Sequence, residues 1–119
     1  MYLKIGDTDV SGYINEDSYV CRRESVYSGG FVNIYGEKVQ TRTGERIEIE
    51  AELTDVTDED ARALQAAVSG GGAQTVFMAP SEMTAYLSCE RLDMSIERDR
   101  EGLCWTVRIK MSGYVRDGL

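Results

Sequence analysis

The chain has 119 residues, 42% hydrophobic and 29% charged, and its 21 acidic and 13 basic side chains give a formal charge of −8. That length fits one domain around a single core, and the acidity opposes tight binding to nucleic-acid phosphates. The three cysteines, Cys21, Cys89 and Cys104, are irregularly spaced and make a poor disulfide framework, and the absence of histidine excludes Cys/His zinc sites and histidine-based triads.

The acid is concentrated in the middle. Residues 45–69 hold eight acids and two bases, whereas residues 1–44 hold six and five, and residues 70–119 seven and six. Met1-Tyr2-Leu3-Lys4 runs into Gly6-Asp7 with no apolar leader, so a cytosolic chain with free thiols is expected. No segment approaches the roughly 20 apolar residues that a membrane-spanning helix needs.

Residues 2–5 are the first strand candidate, closed by Gly6-Asp7, and Val10 to Ile14 is a second extended piece. Tyr19 to Tyr27 reads as a strand with one wet face, which Ser28-Gly29-Gly30 breaks. Phe31 to Tyr35 is a further strand candidate, and Gly36 to Gly44 is polar and expected to be mobile. A mobile loop or arm is therefore expected at about 28–44. In residues 45–53, Ile47, Ile49, Ala51 and Leu53 alternate with Arg46, Glu48, Glu50 and Glu52, the period of a half-buried strand. A helix is predicted at about 58–69. Thr57 caps it with Asp60 three residues on, Asp58, Glu59 and Asp60 suit the positive end of the helix dipole, and Ala61, Leu64, Ala67 and Val68 form an apolar stripe. Gly70-Gly71-Gly72 ends it.

Gln74 to Met78 is the next strand, and Ala79-Pro80-Ser81 a turn. Ala85 to Cys89 begins another. Leu92, Met94 and Ile96 alternate with Asp93, Ser95 and Glu97, and Leu103, Trp105, Val107, Ile109 and Met111 alternate with Cys104, Thr106, Arg108 and Lys110. A turn over 99–102 makes these two strands a hairpin. The order lacks βαβα alternation, so the expected class is α+β: an antiparallel β-sandwich or open barrel with one flanking α-helix, forming a single β-rich domain over 1–119. The expected core is Ile47, Ile49, Leu53, Leu64, Val68, Leu92, Met94, Ile96, Trp105, Val107 and Ile109.

Few residues suggest chemistry. The triple glycine follows a helix and enters a strand, the reverse of a phosphate-binding loop. Asp55, Asp58, Glu59 and Asp60 lack the spacing of a calcium loop and are read as helix capping. Glu48, Glu50 and Glu52 stand about 7 Å apart on one strand face. Such carboxylates can serve a glycosidase, but a wet face meeting Arg108 and Lys110 across the sheet accounts for them. No histidine is present to activate a cysteine, and no CxxC or other paired spacing occurs. No catalytic residue, cofactor or metal site is assigned, and the chain is not expected to be an enzyme. The long polar segment is the one candidate surface: Phe31, Tyr35, Lys38 and Arg42 are read as an arm contacting a neighbouring subunit.

Leu3-Lys4-Ile5-Gly6-Asp7-Thr8-Asp9-Val10-Ser11, then Arg42-Thr43-Gly44 before the alternating strand, the helix with Leu64, and Val76-Phe77-Met78-Ala79-Pro80 occur in an order that resembles small tail structural proteins of phages and prophages of Gram-positive bacteria, either tail tube-like or minor tail proteins. The likeness is one of overall pattern across most of the chain. It implies a β-sandwich with a flanking helix that assembles with itself in a ring, or with other tail proteins, through long loops. It also implies residence in the bacterial host cytoplasm during assembly and in the virion tail afterwards. The alternative reading is a small cytosolic binding or adaptor module.

Overall fold

The computed structural model describes residues 2–99 and 102–116, and at 16, 28 and 97–99 the backbone alone. The described residues form β1 (Lys4–Ile5), β2 (Thr8–Asp9), β3 (Val20–Val32), β4 (Lys38–Thr57), α1 (Asp58–Ala67), β5 (Gly72–Met78), β6 (Glu82–Asp99) and β7 (Gly102–Arg116). The strands join one sheet in the order β2-β1-β5-β6-β7-β4-β3, with every neighbouring pair antiparallel. The fold is thus a sheet-rich α+β arrangement with one helix.

β4 is the spine. Its 20 residues span about 66 Å at an ordinary strand rise, close to the molecule's longest dimension of 72 Å, against 28 and 21 Å across. Ile47, Ile49, Ala51 and Leu53 all point into the core, as their alternation requires. The register then shifts between Leu53 and Val56, where Asp55 takes a φ of 57°. That bulge moves the buried set from odd to even numbers, so that Val56 is buried too.

α1 forms where its cap and stripe predict. The Thr57 hydroxyl accepts from the Asp60 amide at 3.2 Å, and Ala61 and Leu64 are fully buried. Two side chains from elsewhere fix its first turn: Trp105 Nε1 donates to Asp58 Oδ1 at 3.0 Å, and the Tyr13 hydroxyl donates to the Asp60 carboxylate. Leu3, Ile5 and Val10 from the first ten residues, Ala73 and Phe77 from β5, and Leu87, Val107, Ile109 and Met111 from β6 and β7 complete the core with Val68.

Several expectations need correction. Val10 to Ile14 is not extended: Ser11 accepts from the Leu3 amide through its hydroxyl and donates its own amide to Asp9 Oδ1, and these local bonds wind residues 11–13 into a 3-10 turn. Ser28-Gly29-Gly30 does not end its strand; β3 passes through it with a register shift, helped by Gly29 at a φ of 66°. Residues 38–44 are the start of β4 rather than a loop without regular structure. Ala85–Cys89 and Leu92–Ile96 belong to one strand, β6, whose register shift between Cys89 and Arg91 changes which side chains face inward. Leu92, Met94 and Trp105 are only partly buried, and Ile96 is 50% exposed because its hairpin runs past the end of the core. Arg100 and Glu101, inside the expected 99–102 turn, lie outside the described residues; Asp99 pairs with Gly102 across it.

Candidate functional site

The polar surface of the sheet is a lattice of ion pairs. Arg22 reaches Glu48 at 2.9 Å and Glu50 at 3.3 Å, Arg108 reaches Glu52 at 3.5 Å, and Lys110 lies 3.5 Å from Glu48 and 3.6 Å from Glu90. The Glu48, Glu50 and Glu52 carboxylates therefore each meet a base across the sheet, Arg108 and Lys110 among them. The groove at this surface, about 180 Å³ and bordered by Ser18, Glu50, Glu52, Arg91, Arg108 and Lys110, mixes both signs of charge. Ser112 donates to Glu90 at 2.6 Å, which with nearby Lys110 holds the Glu90 carboxyl below its usual range.

Among the described residues no group of three or more cysteine, aspartate or glutamate side chains is placed to hold a metal ion. None of the three cysteines is in a disulfide, and partial burial pushes the Cys21 and Cys89 thiols up, away from the nucleophilic thiolate. No described helix is long and apolar enough to cross a membrane.

The candidate arm is a regular element. The distal parts of β3 and β4 pair as a hairpin, with Tyr27 opposite Arg42, Phe31 opposite Val39 and Val32 opposite Lys38. Asn33 builds its turn: its side-chain oxygen accepts from the amides of Tyr35 at 2.9 Å and Glu37 at 3.0 Å, and Gly36 adopts a φ of 78°. The turn places Ile34 and Tyr35 outermost, 93% and 80% exposed, and Phe31 and Val32 beneath them are also exposed. Apolar side chains in water at one tip have no stabilising role within a single chain, and such clusters mark contact surfaces.

The hairpin's root is held firmly. Arg23 grips the Glu45 carboxylate through Nε at 3.0 Å and Nη2 at 2.6 Å, and its Nη1 donates to the Ala79 carbonyl at 2.5 Å. Arg42 adds a third contact to Glu45 at 3.2 Å. The Arg23 bonds and both arginine charges hold the Glu45 carboxyl below its ordinary range. Beside them the Tyr19 hydroxyl donates to the Met78 carbonyl at 2.8 Å, and burial pushes its pKa up to about 12.

Of the residues that sequence singled out, Phe31, Tyr35 and Lys38 stand on the distal hairpin, whereas Arg42 turns back to Glu45 at its root. Tyr27, 54% exposed near the hairpin root, was missed because it sits inside an otherwise ordinary strand pattern. Ile96 and Leu103, exposed near the β6–β7 turn, were also missed: their alternation matches that of the buried residues in the same strands. Comparison with protein-family models, with curated proteins and with solved structures gives no match.

Proposed function

We propose that the chain is a non-enzymatic structural component of a phage or prophage tail, acting by assembly with copies of itself or with other tail proteins. The observation that carries this reading is the β3–β4 hairpin: a turn-locked arm with an exposed apolar tip, rooted in the sheet by the Arg23–Glu45–Ala79 contacts. The order of sequence features that resembles small tail proteins supports it independently.

The sheet is read as an open barrel. Three strands separate β3 from β5 in the sheet order, yet Tyr19 bonds to the Met78 carbonyl and Arg23 to the Ala79 carbonyl. A strongly curled sheet would bring strands so far apart in order within hydrogen-bond reach, and these two bonds support that reading.

The test compares the intact chain with one in which residues 29–40 are replaced by a short glycine-serine turn, using light scattering and electron microscopy over a range of concentration and salt. The reading expects the intact chain alone to form rings, tubes or chains. An intact chain that stays monomeric, with or without other tail proteins, would refute assembly and favour the adaptor alternative.

A further inference from the structure

β3 has a single backbone partner. Among the described residues it is laddered to β4 alone, and its other edge, the outermost of the sheet, forms no strand pairing. The end of β5 lies across that edge. Each step from β3 through β4, β7 and β6 to β5 reverses direction, so β3 and β5 run parallel to one another. β1 is laddered to β5 only at Thr75 and Val76, and among the described residues no strand pairs with β5 on that side at Met78.

What crosses this seam is side chain. The hydroxyl of Tyr19, one residue before β3, donates to the Met78 carbonyl at 2.8 Å, and Arg23 Nη1 donates to the Ala79 carbonyl at 2.5 Å. Tyr19, Cys21 and Arg23 alternate along the chain, and Cys21 and Arg23 stand opposite the core residues Ile49 and Ile47. Cys21 therefore lies between the two bonded side chains. With Arg23, Met78, Ala79 and Pro80 it borders a cavity of about 290 Å³. The bonds are also within reach of water, since the Arg23 side chain is 37% exposed. A strand ladder opens as a cooperative unit, whereas single bonds from partly exposed side chains can be released one at a time and replaced by water.

We propose that this seam is a latch: Tyr19 and Arg23 hold β3 against the end of β5, and their release opens the seam locally, exposing Cys21 while the β3–β4 and β5–β6 ladders stay intact. Arg23 gives the latch its link to the arm. The same guanidinium grips Glu45 at the arm's root, so a shift of that root carries Arg23 with it and strains the bond to Ala79. The latch belongs to a single copy and does not depend on assembly.

The experiment follows labelling of the folded protein by a bulky dye-maleimide, resolved thiol by thiol by mass spectrometry. It compares the intact chain with Tyr19→Phe, Arg23→Gln and the two changes together. Cys89 and Cys104, on β6 and β7, are the internal reference. Tyr19→Phe removes one hydroxyl and should speed Cys21 labelling several-fold. The double variant should speed it roughly tenfold or more, with the Cys89 and Cys104 rates unchanged. The Arg23 charge favours the Cys21 thiolate, so its loss alone would slow the reaction, and a faster rate reports exposure. Far-ultraviolet circular dichroism checks that each chain is folded, and Tyr19→Phe decides the matter if the double variant is not. A Cys21 rate that stays the same in every folded variant overturns the latch. So does a rise shared equally by all three thiols, which is general loosening of the fold rather than opening of one seam.

Discussion

Trp105 connects the sheet to the helix, and its removal can be worked through in parts. Full truncation of a buried tryptophan costs about 3–5 kcal/mol. Trp105 is only partly buried, so its packing share falls to about half, near 2 kcal/mol. The bond from Nε1 to the Asp58 carboxylate, at 3.0 Å in a partly buried setting, adds about 1 kcal/mol. Trp105→Ala should therefore lose about 3 kcal/mol. Trp105→Phe keeps most of the packing and should lose about 1 kcal/mol, and a cycle with Asp58→Ala should return a coupling of similar size. Urea unfolding followed by far-ultraviolet circular dichroism measures all four chains, with an unchanged denaturant slope as the check on two-state behaviour. A coupling of zero would show that the indole does not hold the helix start. A Trp105→Ala loss under about 0.5 kcal/mol would refute the packing of the last strand itself.

The root of the arm gives a pH prediction. The Glu45 carboxyl is depressed in the fold, so its contribution is fully present above its unfolded value, near 4.5, and is lost as pH falls through the lower folded value. The stability gap between the intact chain and Glu45→Gln should stay constant from pH 7 to about 5 and close towards pH 3, read from urea midpoints. Tyr19 should ionise near pH 12, and the corresponding phase of an ultraviolet titration should vanish in Tyr19→Phe. Because its folded pKa is raised, its contribution is complete below the unfolded value near 10 and is lost as pH climbs towards 12. Gly44→Ala should cost about 1–3 kcal/mol, since the added carbon would sit 2.3 Å from the Val115 carbonyl and 2.8 Å from the Tyr114 ring. Gly70→Ala, which meets nothing within 4 Å, should leave the thermal midpoint nearly unchanged. All three cysteines should react with a thiol reagent in denaturant without reductant; a single reactive thiol would show that two of them are joined in a disulfide.

Sequence made the longest elements legible wherever one periodicity ran without interruption. Residues 45–53 and the helix start are of this kind: alternation and a Thr57 cap each point to one answer, and nothing later in the chain competes with them. The bulges hid more. At Asp55 and around Glu90 the inward-facing set changes parity, so β6 looked like two strands and Val56 was not among the expected core residues. Local side-chain bonds were equally opaque. Ser11 and Asn33 spend their side chains on nearby amides, turning two stretches that read as extended into turns. Ile96 shows a different limit. Period two states which side of a strand a residue occupies, not whether anything covers that side, and the far hairpin outruns the core that would have covered it. The arm was recognised for its chemistry but not for its form, because its two strands, with glycines and polar residues, lack the alternation of a buried sheet.

The length of β4 has a mechanical meaning. It is bonded to β7 from Gly44 to Thr57 and to β3 from Lys38 to Glu50. A pull applied between the arm and the far hairpin runs parallel to these strands and across their hydrogen bonds. The ladder is then loaded in shear, with many bonds sharing the force at once, rather than peeled open one rung at a time. The Arg23 bonds to Glu45 and Ala79 sit where the arm joins the body, so tension passes from the hairpin into the sheet on both of its neighbouring layers of bonds. A subunit built this way resists stretching along its axis far better than prying across it.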